Sequence, residues 1–534
     1  MLVIRGAQRY NPAQGTQAQI GDLWVDGERI IPPPQQAGDV EVIDAHGKIV
    51  APAGIEIHTH VAGYPLNAAR RFLLANPDHA QGLLPTPQAA AERYLRMGYT
   101  TVFDAAMSPL FARHTQYDLN QMTQLDRGTY TQIGDYRQMM TALAVGDIAY
   151  VRDLIAWLVR ITGGYAVKLV NPGGGLAWKS GQRGIGLDDP FGVGELTQRK
   201  ALVELVSLVN EMGMPHPAHL HACRLGVPGN HASFCETVKA LEGQRCHLCH
   251  IQFYSYGEHH SGGYSSAAEK IVDCITPYPA LTFDVGQVMF GKAMGITHDT
   301  SALSNLQRAS SHAWISYQIE GEGGNNIMPL DYSAQDPTGA VQWATGLELL
   351  LRFPDPLRLF LTTDHPNGAP FDSYPQIIAW LMDRSARLKA LKNVHPAADK
   401  RSGLAGITRE YSLGEIFAMT SLGPARALGL TDRGTLEPGA LADLRCYSPR
   451  TDIREMFTHP DWVMRHGKMV VQGDKIIQNG DGAHLTVHPG FDQERLSILQ
   501  RDLSNWVSLP ARAYALDDDE LAGMKEVACT SKTS

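Results

Sequence analysis

The chain has 534 residues, 44% of them apolar and 19% charged, with 46 Lys+Arg set against 55 Asp+Glu for a net charge of −9. This length and balance exclude a mini-protein, a disordered chain and a broad cationic surface for nucleic acid. Seven cysteines form a sparse, odd set, which favours a reducing compartment. The first residues turn polar too soon for a secretory signal, and no run approaches the length of apolar chain needed to cross a bilayer. The expectation is therefore a cytoplasmic protein with neither nucleic acid nor membrane among its partners.

In chain order, residues 1–50 predict short strands at 2–5, 22–25 and 40–44 between turn-rich pieces such as Asn11-Pro12 and Asp26-Gly27. From residue 51 the pattern alternates amphipathic helical stretches with short apolar runs, the signature of a parallel sheet. Helices are predicted at 86–97, 147–162, 200–212, 231–241 and 341–352. Eight strands are predicted at 55–60, 99–105, 130–133, 165–170, 218–222, 246–253, 281–285 and 357–363, the count of a (β/α)₈ barrel. Residues 286–339, rich in Gly, Ser, Asn and His, break the rhythm and predict an insertion after the seventh strand. Short strands return after 428. The predicted class is α/β: a TIM-type barrel at 51–430 and a discontinuous small β domain from both chain ends (1–50 and 431–488). A C-terminal extension (489–534) follows, with one helix at 493–507 and a solvated acidic run at 517–520.

Several side chains carry chemistry. His58 and His60 end the first predicted strand, and residues i and i+2 of a strand share a face, so both imidazoles project together as a chelating pair. Lys168 lies in the middle of the fourth strand. Facing outward, it would snorkel to water; facing inward, it would be a lysine that sheds its proton and captures carbon dioxide as a carbamate able to bridge two cations. His219 and His221 close the fifth strand, His247 and His250 flank the sixth, and Asp364 follows the eighth. In such a barrel the active site forms at the C-terminal ends of the strands. One competing motif, Cys246-His247-Leu248-Cys249-His250, has the spacing of a c-type haem attachment site, but it falls inside an apolar strand of a chain read as unexported.

The run Gly47-Lys48-Ile49-Val50-Ala51-Pro52-Ala53-Gly54-Ile55 into His58-Thr59-His60, together with the stretch from Gly423-Pro424-Ala425-Arg426 through Arg433-Gly434-Thr435 to Asp443-Leu444, resembles the amidohydrolase superfamily. Val167-Lys168-Leu169-Val170-Asn171-Pro172, His221-Ala222-Cys223-Arg224, His250-Ile251-Gln252-Phe253, Asp284-Val285-Gly286-Gln287 and the run from Val341 to Leu349 are more particular. They resemble the A subunits of formylmethanofuran dehydrogenases and their counterparts in bacterial formyltransferase/hydrolase complexes.

The resemblance implies two divalent metal ions, zinc by that likeness. It implies His58, His60, His221, His250 and Asp364 as ligands, an N6-carboxylysine at Lys168, and Asp364 as the proton shuttle; His219 is the rival of His221. It implies a formylmethanofuran-type substrate, hydrolysed to formate and an amine. Arg70, Arg71, Lys179 and Arg224 are the candidates to hold the acidic tail of that substrate, and a formyltransferase with other subunits would be partners in a hetero-oligomer. The alternatives are the corresponding chain of a molybdenum or tungsten formylmethanofuran dehydrogenase, a dihydroorotase- or hydantoinase-like cyclic amidase, and an inactive scaffold.

Overall fold

The computed structural model describes residues 1–36, 38–75, 82–310, 312–318, 324–477 and 481–530. Eight parallel strands form its centre: β1 (Gly54–Thr59), β2 (Tyr99–Met107), β3 (Asp126–Ile133), β4 (Ala166–Val170), β5 (His219–His221), β6 (Cys246–Leu248), β7 (Leu281–Asp284) and β8 (Leu359–Phe360). Each pairs with the next in chain order. The sheet curls until Thr59 of β1 bridges His365, just beyond β8, where the His60 N–H donates to the His365 carbonyl at 2.7 Å. These strands are buried almost throughout, as parallel strands with covered faces must be, and so they read as apolar runs rather than alternations. Helices between them start where a side-chain oxygen meets a free N–H: Thr86 accepts from Ala89, Asp147 from Tyr150, Thr197 from Lys200 and Asp336 from Gly339.

A second, nine-stranded sheet takes Leu2–Tyr10, Ala18–Asp26, Arg29–Ile31, Glu41–Asp44 and Ile49–Pro52 from one end of the chain, and Leu444–Tyr447, Trp462–Arg465, Lys468–Gln472 and Lys475–Ile476 from the other. The halves join where Ile49–Pro52 pairs antiparallel with Leu444–Tyr447. Its own apolar cluster includes Ile4, Val25, Leu444, Trp462 and Met464.

The eight predicted strands are all present, with shifted limits. The third begins at Asp126, four residues early, because its first residues are polar and belong to an ion-pair network at the sheet's lower end. The sixth stops at Leu248: His250 takes a left-handed conformation (φ 41°) and a 3₁₀ turn follows. The 286–339 segment is built rather than loose. Gly291–Thr297, Ile315–Gln318 and Gly324–Tyr332 make a three-stranded antiparallel sheet, with the helix Thr300–Ser310 beside it. The chain end also returns to the central sheet, as Met524–Glu526 pairs with His484–Thr486 beside β3. Asp517, Asp518 and Asp519 of the acidic run are exposed and Glu520 is half-buried; Asp517 and Glu520 pair with Arg113. Among the described residues no helix is long and apolar enough to cross a membrane.

Candidate metal centre

Strand register decides which side chains meet. Lys168, His219 and His247 lie level across β4, β5 and β6, so their side chains leave the sheet on one side. All three point into the lumen. The two imidazoles, being short, stay below the mouth: His219 Nε2 is 3.2 Å from His58 Nδ1, and His247 Nε2 is 3.0 Å from Asp284 Oδ2. The longer lysine reaches upward, its Nζ donating to Cys249 Sγ at 3.1 Å. His221, two residues further along β5, stands at the cavity wall, whereas His219 does not.

A cavity of about 790 Å³ opens at the C-terminal ends of the strands, and His58, His60, Lys168, His221, His250 and Asp364 all line it. Asp364 Oδ1 lies 3.1 Å from His58 Nε2 and 3.2 Å from His60 Nε2, so the chelating pair and the carboxylate converge as the strand geometry predicts. Gly286 makes this crowding feasible after β7. Its φ is +65°, and a Cβ there would stand 2.6 Å from His250 Cβ.

The electrostatics suit cation binding. Burial alone would raise the Asp364 pKa, but the charge on His58 and the close approach of the His58 and His60 imidazoles hold it well below the ordinary carboxylate range. Asp284 behaves likewise. Burial opposes its charge, yet His58 and His247 keep it ionised, and it also accepts from the His250 N–H at 3.0 Å and the Thr362 hydroxyl at 2.6 Å. Burial lowers the pKa of His221 and of His250, leaving both as neutral imidazoles, the form that ligates metal. His58 is the exception: against its burial, Asp284 and Asp364 draw a proton to it. The same two carboxylates would favour a cation in that proton's place.

The donor set fits divalent metal. His58 Nε2 and His250 Nδ1 are buried with no hydrogen-bond partner; the former is near Asp364 but out of line for a hydrogen bond. An orphaned imidazole nitrogen in a buried site costs free energy unless something accepts its lone pair. His58, His60 and Asp364 present ligand atoms within 4.8 Å of one another, as do His58, His219, Cys249 and Asp284. Asp284 is the residue that sequence reasoning left out of the site: it orients His58 from behind, in the manner of a carboxylate fixing a metal-bound imidazole. Its signal was a carboxylate at the end of the seventh strand, level with the other site residues.

The four cationic candidates are not brought to the cavity wall. The Arg70 guanidinium is used by Asn67 Oδ1 (2.7 Å) and the Pro85 carbonyl (2.5 Å) within its own helix and loop. Arg71, Lys179 and Arg224 lie exposed outside the lining. Helix and loop geometry turn these side chains away, a direction that position after a strand does not reveal. The upper wall comes largely from the insertion, where the apolar Ile296, Leu303, Leu306 and Leu330 stand among the polar Asn305, His312 and Asp331, and Leu66 packs in one cluster with Ile296. Cys246 and Cys249 are buried in and just after β6, Cys246 against the Ala218 carbonyl and Cys249 against Lys168.

Comparison with known proteins shows the family of the chain. The sequence model of the amidohydrolase family matches residues 41–476. The chain is 35% identical to FhcA, the first-lettered component of the formyltransferase/hydrolase complex Fhc of Methylorubrum extorquens, over 98% of this chain and 99% of that protein. It is 32% identical to protein FwdA of Methanocaldococcus jannaschii, over 97% of each. The crystal structure of the FhcABCD complex from Methylorubrum extorquens with methylofuran contains a chain that superposes with a TM-score of 0.94, at 35% identity, over 99% of this chain and 100% of that one. A D-aminoacylase structure, 13% identical with a TM-score of 0.50 over 90% of this chain, shares the fold alone.

Proposed function

The chain belongs to the amidohydrolase family, and from that premise we propose that it is the hydrolase component of a formyltransferase/hydrolase complex, cleaving an N-formylmethanofuran-type formamide to formate and the free amine. One observation carries the reading: six side chains spread over 307 positions, His58, His60, Lys168, His221, His250 and Asp364, line a single cavity. Likeness to FhcA over nearly the whole chain supports the substrate class and a hetero-oligomeric setting. The resemblance to A subunits of formylmethanofuran dehydrogenases leaves a second use of the same site, joining formate to the amine, because a catalyst serves both directions of one equilibrium.

In this reading the curled sheet is a (β/α)₈ barrel at 51–430 carrying the insertion 286–339. Residues 1–50 and 431–488 are halves of one β domain, and 489–534 is an extension.

Two divalent ions, zinc in this proposal, would lower the pKa of a water and polarise the formyl carbonyl. The chain does the rest. His58 and His60 would hold one ion, and His221 and His250 the other. Lys168 would add through Nζ to carbon dioxide, forming an N–C bond and giving up an N–H proton to solvent, so that the two oxygens of the resulting N6-carboxylysine share one negative charge. Asp364 takes the proton of the attacking water and returns it to the departing amine nitrogen, so that the C–N bond breaks to a neutral amine. The insertion roofs the cavity with apolar side chains and limits bulk water.

The test is metal content and formate release from N-formylmethanofuran for wild type and Lys168→Ala. The expected result is loss of turnover together with lower metal content in the variant. Equal loading and equal turnover would defeat the assignment, and turnover by wild type on dihydroorotate or hydantoins alone would move the substrate class to cyclic amides.

A further inference from the structure

The roof and the proton-shuttle candidate meet at the segment after β8, where the side chain of Asn367 bonds to both. Strand Gly291–Thr297 pairs on one side only, with Gly324–Tyr332, so its other edge presents free N–H groups. That edge lies along the segment after β8. The Met294 N–H donates to the Pro366 carbonyl at 2.9 Å, and the Ile296 N–H donates to Asn367 Oδ1 at 2.7 Å. From the neighbouring strand, the Tyr332 hydroxyl donates to the Asn367 carbonyl at 3.1 Å.

These contacts fix the amide chemically. A backbone N–H can only donate, so the atom facing Ile296 is the amide oxygen and the atom on the other branch is the NH₂. That nitrogen donates to Asp364 Oδ1 at 3.1 Å. The two residues are also joined through the backbone, the Asn367 N–H donating to the Asp364 carbonyl at 2.6 Å, and Asp364 itself holds a left-handed conformation with φ 48°. A carboxylate required to bind metal and pass a proton has two rotational freedoms to lose, and a fixed donor on one oxygen removes one of them. A second tie runs from the same insertion: Asp299, which caps the helix Thr300–Ser310 by accepting from the Ala302 N–H, lies 3.4 Å from His221 Nε2.

We propose that Asn367 is a positioning residue for Asp364, its amide held by the edge strand of the insertion so that the roof, once folded, sets the orientation of the carboxylate in the metal centre. This rests on the amidohydrolase reading above and adds a residue and a route to it. It also gives the insertion a role beyond covering the cavity.

The experiment uses the full chain in its purified complex, loaded with Co²⁺, and compares Asn367→Asp, Asn367→Ala and Asp364→Asn with wild type. Asn367→Asp keeps the acceptor for Ile296 but sets a second carboxylate oxygen against Asp364; Asn367→Ala removes both contacts. The expected result is wild-type metal stoichiometry and unfolding midpoint in both Asn367 variants, with the Co²⁺ visible band moved in the direction seen for Asp364→Asn. With N-formylmethanofuran, kcat falls about 10–100-fold for Asn367→Asp while KM stays within about threefold. An unmoved band with metal retained would overturn the proposal, and so would loss of metal or fold in both variants, which is what a purely structural residue gives. Should Asn367→Asp alone fail to fold, the band of Asn367→Ala decides. If wild type releases no formate from this substrate, the functional reading falls, while the Co²⁺ band still tests the role of Asn367.

Discussion

The two ends of the curled sheet hold similar inventories of buried His and Asp put to opposite uses. At the mouth, His58, His60 and Asp364 gather with two imidazole nitrogens of the site unpartnered. At the lower end, Asp126, Asp443 and His466 gather as tightly, but guanidinium groups already occupy the place a cation would take. Asp126 accepts from Arg433 at 2.6 Å, Arg465 at 3.1 Å, the Ala483 N–H at 2.8 Å and His466 Nε2 at 3.2 Å. Burial would raise the Asp126 pKa, but Arg433 and its neighbours push it far down. Asp443 accepts from the His466 N–H and the Thr100 hydroxyl. Ligand types in proximity do not separate a metal centre from an internal salt bridge. Whether charge and lone pairs are already satisfied, and whether a cavity reaches them, does.

The contrast can be broken by substitution at either end. Asp364→Asn should show the largest effect, a fall in formate release of about 10²–10⁴-fold with the folded state intact, checked by steady-state kinetics beside thermal unfolding. Arg433→Met should do the reverse. Taking the nearest of several partners from the buried Asp126 should cost about 1–3 kcal/mol in urea unfolding, with metal content and turnover per folded molecule unchanged. A chelator that strips the mouth should leave the lower network untouched, so loss of activity with little change in stability would sharpen the distinction. Asp284→Asn, behind the mouth, should weaken metal binding by about 10–100-fold, read by competition with a metal-sensitive dye.

The smallest effect concerns acid. His484, at the lower end beside Asn120 and Arg127, has its pKa pushed down to about 3 by burial and then by the Arg127 charge. The unfolded chain therefore binds a proton that the native state refuses, and stability falls as pH drops from about 6.5 toward 3, by about 1.4 kcal/mol at pH 5.5. His484→Gln should flatten that slope in urea titrations run across the range.

Much of this was legible in the residues. The strand order followed from alternating periodicity, and the inward turn of His58 and His60 from the two-residue repeat of a strand. Register was not legible, and register is what places Lys168 in the lumen and His219 beneath His221. The limits of β3 were hidden by Asp126 and Arg127, because the partners of Asp126, Arg433 and Arg465, lie more than 300 residues away. The stretch around Arg433 to Asp443, which carries part of the family likeness, proves to be the anchor that ties the two-ended sheet beneath the strands. The insertion looked irregular because its short strands carry Gly and Asn, residues that strands ordinarily avoid. Side-chain direction at Arg70, Arg71, Lys179 and Arg224 depends on local helix and turn geometry that composition does not encode.

The seam between Ile49–Pro52 and Leu444–Tyr447 has a consequence for biogenesis. At about 5–20 residues per second of translation, the leading edge of that sheet waits roughly 20–80 s on the ribosome for its mate. Five strands with an exposed flank must stay out of wrong pairings during this interval, so nascent chains halted before residue 444 should be the ones that engage chaperones most, and release should coincide with emergence of the clasp.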